Sequence, residues 1–304
     1  MSVQRFAFAP FSELPEQGSL FFTLILLLFL ISLTGNTLVA LAIWSSPGLH
    51  TPMYFFLANL SLLEIGYTCS VTPKMLQSLV SEARGISRQG CATQMFFFTF
   101  FAASECCLLA AMAFDRYLAI CAPLHYATRM SRGVCVQLAG VSWGVGCLVG
   151  LGQTNYIFSL DFCGPCEINH FFCDLPPILA LACGDTSHNE AAVFVVAVLC
   201  ISSPFLLIIA SYGRILAAVL VMPSPEGRHK ALSTCSSHLL VVTLFYGSAS
   251  ITYLSPKASR SPGMDKILAL FYTVLTSMLN PIIYSLRNKE VKAALWRILG
   301  RKRL

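Results

Sequence analysis

Seven long apolar runs constrain this 304-residue chain more than any other feature. They lie at about residues 19–44, 54–79, 92–121, 137–158, 191–221, 232–254 and 267–286. Each has the length a helix needs to cross the hydrocarbon core of a bilayer, about 20 residues. The rest of the chain cannot supply a water-facing shell: 56% of residues are hydrophobic and 11% charged, against about 25% charged in soluble domains. Mean hydropathy is +0.71. In lipid, backbone groups find no water, so a spanning segment must be a helix or part of a closed barrel. Barrel strands alternate polarity over about 10 residues, and these runs do not. The expected fold is an all-α membrane protein, a seven-transmembrane helix bundle forming a single domain over residues 1–304. The segment 288–299 is short and amphipathic. Val291, Ala294, Leu295 and Ile298 recur at helical spacing, with Lys289, Lys292 and Arg297 free to meet headgroups, so it reads as a surface helix.

The first run follows an acidic stub rather than a basic n-region and lacks a small-residue cleavage site. It is expected to be a retained span. Basic residues set the orientation. The tail carries Arg287, Lys289, Lys292, Arg297, Arg301, Lys302 and Arg303. Arg129 and Arg132 follow run three, and Arg214, Arg228 and Lys230 flank or occupy the loop after run five, whereas residues 133–213 hold no Lys or Arg. These loops and the C-terminus are therefore expected on the cytoplasmic side, the surface helix with them, and the N-terminus outside. The net charge of +6 faces inner-leaflet lipid or a cytoplasmic protein and requires no nucleic acid. No soluble domain, repeat array or low-complexity linker interrupts the runs. The 158–190 loop is the longest stretch outside them, a length that suggests function or folding over something.

Of the 13 cysteines, Cys91, Cys163, Cys166, Cys173 and Cys183 fall at or beyond the outer face, where oxidation favours pairing. Five is odd, so one is expected to stay outside any bridge. The others read as small packing residues.

Polar groups inside apolar runs are the strongest functional signals. The stretch "MAFDRYLAIC", residues 112–121, puts an Asp–Arg pair at the cytoplasmic end of run three, where water and headgroups reach. Arg116 is long enough to fold onto Asp115. A lone Arg there would read as a snorkelling interfacial residue. Glu64 and Glu105 lie in mid-span, where carboxylates are costly. If close, two such groups cannot both stay ionised and unpaired: either one is protonated or a cation sits between them. Pro281 and Pro204 each remove a backbone hydrogen bond from their helices and permit a kink.

The chain resembles the olfactory receptors, a branch of the rhodopsin-like G-protein-coupled receptors. The matching stretches are "GN" at 35–36, "PMYFFLANLSLLE" at 52–64, "MAFDRYLAIC" at 112–121, "HFFCD" at 170–174, "SY" at 211–212, "KALSTCSSHL" at 230–239 and "LNPIIYSLRNKEVKAAL" at 279–295. They run in order from about residue 20 to the end. The sequence departs from the family at Phe114, where Tyr is usual, at Ser277, where Pro is usual, and at Glu64, where Asp is commoner. Its single Asn-x-Ser/Thr triplet, Asn59-Leu60-Ser61, falls inside an expected span rather than before the first one.

The resemblance implies a plasma-membrane, multi-pass odorant receptor that is not an enzyme. It implies a small volatile ligand and a stimulatory olfactory-type heterotrimeric G protein that raises cyclic AMP. It makes Asp115, Arg116, Tyr117, Tyr212, Asn280, Pro281 and Tyr284 the G-protein switch, with Arg116 released on activation. It gathers Glu64 and Glu105 beside Asn36 and Asn280 and implies a sodium ion there; a protonated, hydrogen-bonded pair without an ion is the alternative, and no other cofactor is required. It pairs Cys91 with Cys173 and Cys163 with Cys183, while the residues alone leave Cys166 as a competitor for Cys183. The outer halves of runs three, five and six then supply the expected ligand wall: Phe98, Thr99, Ala102, Ala103, Cys106, Val196, Cys200, Tyr246 and Tyr253. It is apolar with a few hydroxyls and has no acid from run three, so a small, mostly neutral ligand is expected rather than an ammonium.

Three rival functions would each need residues of their own. A photoreceptor needs a Schiff-base Lys in run seven, and residues 267–286 hold none. An intramembrane enzyme would need partners for Ser237 and His238 that the sequence does not offer. An ion-coupled seven-helix transporter or channel using Glu64 and Glu105 is the alternative function, although the inverted repeat and broken helix pair of such proteins are missing.

Overall fold

A computed structural model of the chain describes residues 4–10, 15–81, 84–163, 166–254, 262–298 and 300. Among the described residues seven helices are long and apolar enough to cross a membrane: Gly18–Ser45, Pro52–Val80, Arg88–Cys121, Arg132–Phe158, Ser187–Leu220, Pro225–Leu254 and Lys266–Tyr284, spans one to seven. Several helices begin before their apolar runs because caps rather than hydropathy set helix ends. Ser87 accepts a hydrogen bond from the Gly90 amide at 3.0 Å and starts span three at Arg88. Ser131 does the same for Val134 ahead of span four, and Pro52 opens span two, where a missing N–H costs nothing. Lys266, one residue outside the expected seventh run, is the first residue of that span and lies over the Phe171 ring at 5.8 Å. Its place at the outer end, away from the bundle centre, is not that of a buried Schiff-base lysine.

Span three is the axis, packed against spans two, four, five and six. Small residues allow the closest approach. A Cβ on Gly146 of span four would overlap Ser104 Oγ and the Phe100 carbonyl, and one on Gly150 would press on Phe96 and Phe100. Trp143 Nε1 donates to Asn59 Oδ1 at 3.0 Å and ties span four to span two; the Asn of the Asn-Leu-Ser triplet is thus engaged between helices. Pro204 and Pro281 lie within their helices, as does Pro73 in span two. Span seven also contains a π-helical turn, Phe271–Leu275, one turn before Asn280. After Arg287 the chain straightens at Asn288 and re-enters a helix, Lys289–Ile298. Asn288 Oδ1 caps it by accepting from the amides of Glu290 and Val291. Val291 and Ala294 are buried, and Tyr54 of span two donates to Glu290 Oε2 at 2.7 Å, pinning this surface helix to the bundle.

On the outer side a small sheet covers the bundle. Strand β1 (Arg5–Phe8) pairs antiparallel with β2 (Gly85–Ser87) and parallel with β3 (Glu167–Ile168). Phe6 and Phe8 are buried beneath it with Ile157, Phe162 and Ile168. Strands this short leave no periodic signal in a sequence, and their partners are up to 160 residues apart, so the sheet was not foreseen.

Candidate functional site

The outer loop is fixed to the helices first by sulfur. Cys91 joins Cys173 with Cα atoms 5.5 Å apart, and Cys163 joins Cys183 at 5.3 Å, both within bridging range. Cys166 belongs to neither bridge. It takes a positive φ of 55°, and its carbonyl accepts from the Ala7 amide in the sheet. Hydrogen bonds reinforce the clamp. Gln94 of span three accepts from the Cys173 amide at 2.9 Å and donates to the Ser70 carbonyl. Arg88 Nη2 donates to the carbonyls of Phe158 and Leu160.

Next to Cys173, the buried Asp174 carboxylate accepts from Tyr253 Oη at 2.8 and 3.0 Å and from Tyr272 Oη at 3.2 Å. Its Oδ1 also caps the Leu175 amide at 2.8 Å. One acid from the loop therefore joins spans six and seven. Sequence reasoning missed this role, although the Asp of "HFFCD" was its visible trace. Nearby His170 is buried against Phe172, ring centroids 4.7 Å apart. Burial, with the Lys266 cation nearby, holds its imidazole down at about 4.

Beneath this roof lies a cavity of about 90 Å³. Phe98, Thr99, Ala102, Ala103, Cys106, Val196, Cys200 and Tyr253, eight of the nine residues expected to form the ligand wall, line it. Tyr246 does not. It sits deeper, where its hydroxyl donates to the Cys106 carbonyl at 2.8 Å and its ring packs 5.1 Å from Phe205. It braces the cavity floor. The expectation omitted Gln153 of span four and Leu175 of the roof, both lining residues, because the sequence does not reveal which face of span four turns inward.

In mid-membrane, Asn36 donates to the Ser277 carbonyl at 3.1 Å and to the Ser32 carbonyl at 2.9 Å. Asn280 Nδ2 donates to Glu64 Oε1, and the Glu105 carboxyl is a neighbour of Glu64. Both glutamates are buried. Glu105 Oε1 and Asn280 Oδ1 are buried without a hydrogen-bond partner. The unpartnered Glu105 Oε1 and Asn280 Oδ1, with the Glu64 carboxyl beside them, make a donor set suited to a hard monovalent cation. Among the described residues no group of three or more His, Cys, Asp or Glu side chains is arranged to hold a metal ion.

At the inner end the Asp115–Arg116 pair does not close on itself. Asp115 Oδ1 accepts from Tyr126 Oη at 2.7 Å, while Arg116 is directed at Met53 Sδ of span two. Adjacent helical residues diverge around the axis, and the short helix Tyr126–Arg129 brings a phenol to the carboxylate. Burial and this bond push the Tyr126 phenol up. Tyr212 Oη lies 2.7 Å from His238 Nδ1, and His238 Nε2 lies 3.1 Å from the Leu109 carbonyl. A carbonyl only accepts, so Nε2 carries the proton and Nδ1 accepts from Tyr212. Spans five, six and three are thereby linked in series. Tyr117 packs against Ile215, Val219 and Cys235. Tyr284 Oη is buried with no partner, beside the interior proline of span seven.

These features define a seven-helix membrane protein with a lidded outer cavity and a polar inner end. The olfactory receptor family model matches residues 25–302. Human olfactory receptor 10C1 is 54% identical over 297 residues, covering 98% of this chain and 95% of that protein. Human olfactory receptor 10A5 is 53% identical over 296 residues, covering 97% and 93%. Human olfactory receptor 10A4 is 54% identical over 300 residues, covering 98% and 95%. The chain belongs to the olfactory receptor family. It is an odorant-sensing G-protein-coupled receptor, a multi-pass protein of the plasma membrane and not an enzyme.

Proposed function

We propose that this receptor binds a small, mostly apolar, neutral odorant in the outer cavity and activates a stimulatory G protein, raising cyclic AMP. The observation that carries the ligand assignment is the cavity under the disulfide-clamped loop, walled by spans three, four, five and six. Among the described residues no Asp, Glu, Lys or Arg lines it, so a charged ligand would lose hydration without gaining a counter-ion. Its volume of about 90 Å³ is below the roughly 300–1,000 Å³ of sites for drug-sized ligands, in keeping with a ligand of few heavy atoms. A ligand touching Phe98, Cys106 and Tyr253 bears on spans three and six together. Tyr246 connects those spans one level down, and His238 connects them again near the inner end.

In this reading Arg116 leaves Met53, and Asp115, Tyr117, Tyr212 and the Asn280–Pro281–Tyr284 segment rearrange to admit the G protein. Pro281 and the π-helical turn give span seven two places at which it can bend. Glu64, Glu105 and the Asn280 carbonyl would hold a sodium ion. When bound, the ion neutralises the paired carboxylates and favours the resting arrangement. The experiment is a panel of small neutral odorants applied to cells expressing the receptor, with cyclic AMP as readout. A dose-dependent rise is expected, and silence across the panel at verified surface expression overturns the proposal.

A further inference from the structure

Two buried polar groups on the cavity wall have nothing to bond. Gln153 of span four is 7% exposed and Thr99 of span three is 7% exposed. Gln153 Oε1 and Thr99 Oγ1 are each buried without a hydrogen-bond partner, and both residues line the cavity. Neither is explained by the helix it sits on. Thr93 and Ser104, on the same helix as Thr99, spend their hydroxyls on the carbonyls of Gln89 and Phe100, the usual way a helix absorbs such groups. The third polar tip at the cavity, the Tyr253 hydroxyl, is committed to Asp174. Leaving a buried acceptor unmade is costly, so a site that keeps one open is shaped for a partner that arrives later.

The chemistry of that partner follows from the two atoms. An amide oxygen only accepts, so the ligand must donate to Gln153; a threonine hydroxyl can donate in turn. We propose that the polar recognition element of the ligand is a hydroxyl group, donating to Gln153 Oε1 and accepting from Thr99 Oγ1, with its hydrocarbon part among Phe98, Val196 and Cys200. An ether, ketone or aldehyde of the same length fills the same volume but leaves Gln153 Oε1 unpaired. The site selects alcohols over isosteric acceptors for that reason. Discrimination on a missing donor exceeds discrimination on a missing methylene. The inference rests on the outer cavity being the ligand site.

The test compares matched series of small primary alcohols with their methyl ethers, aldehydes and parent alkanes. Cyclic AMP is measured in cells bearing the wild type, Gln153→Leu or Thr99→Val at matched surface expression. Alcohols are expected to be about 10-fold or more potent than the matched ethers and aldehydes at the wild type. Gln153→Leu, which keeps the bulk and removes the acceptor, is expected to bring alcohols, ethers and aldehydes within about 3-fold of one another; Thr99→Val removes a donor that all three can accept from, so it should weaken them alike and narrow only their lead over the alkanes. A wild type that answers ethers, aldehydes or alkanes as well as alcohols overturns the hydroxyl assignment and leaves the cavity reading standing. So does a Gln153→Leu receptor that keeps the full alcohol preference. Silence toward every series overturns the cavity reading and the hydroxyl assignment with it. Should Gln153→Leu fail to reach the surface, Thr99→Val and the wild-type series decide between these results.

Discussion

At the outer end, two disulfides, a three-stranded sheet and an Asp174 carboxylate shared between Tyr253 and Tyr272 hold the loop over the cavity. At the inner end no covalent tie occurs among the described residues. Asp115 rests on one phenol, Arg116 on one thioether, Tyr212 on one imidazole, and Tyr284 Oη on nothing. The contrast assigns roles. A structure fixed at one face and held by single exchangeable contacts at the other can recognise a ligand with little reorganisation outside and repack inside, the bistability that a signalling transition requires.

The sharpest way to break this contrast is at Arg116. Arg116→Ala removes the charge offered to the G protein while leaving the outer cavity untouched. Odorant-evoked cyclic AMP is expected to vanish at matched surface expression while odorant-induced thermal stabilisation of the purified receptor persists. An unchanged cyclic-AMP response would remove the switch from this residue.

The outer end comes next. Cys173→Ser breaks the bridge to Cys91 and is expected to cost about 2–4 kcal/mol, read as a lowered melting temperature and weakened odorant response. Mass spectrometry of a non-reduced digest of the wild type should return peptides linking Cys91 to Cys173 and Cys163 to Cys183. A Cys166–Cys183 peptide would contradict the second bridge.

His170 gives the lid a pH dependence. Its folded value of about 4 lies below the ordinary value of about 6.5, so the unfolded chain binds a proton first and stability falls as the medium acidifies. The stabilisation is complete above about pH 6.5 and is lost progressively between that and about 4. Lowering the pH from 8 to 5 should cost about 2 kcal/mol. His170→Phe should flatten that dependence in melting curves, and an unaltered pH profile would sink the assignment.

The smallest effect is expected in mid-membrane. Glu105→Gln removes one charge from the proposed sodium site. At physiological sodium a weak site contributes only about 1 kcal/mol, so the expected change is a modest shift in basal cyclic AMP and loss of its sodium dependence. Wild-type behaviour in both would leave the pair as a protonated structural contact.

How far the sequence foretold these parts depended on the range of the interaction. The spans were legible because burial in lipid demands about 20 apolar residues in a row. Eight of the nine expected wall residues line the cavity because they sit on the facing sides of spans three, five and six. Tyr246 was misplaced because its depth along span six is set by a bond to the Cys106 carbonyl. Gln153, Asp174 and the β1–β3 pairing depend on helix rotation and on contacts between distant segments, and no local pattern encodes them. Arg116 was expected to fold onto Asp115. Met53 and Tyr126, from two other elements, took the two side chains apart.

Hydrogen exchange followed by mass spectrometry tests the central contrast most directly. The receptor is compared alone and with an activating odorant and its G protein. The account predicts altered exchange in residues 112–126, 209–222 and 225–240, with the disulfide-bearing stretches 88–95 and 168–180 staying protected in both states. Large changes in those outer stretches with an inert inner end would contradict it.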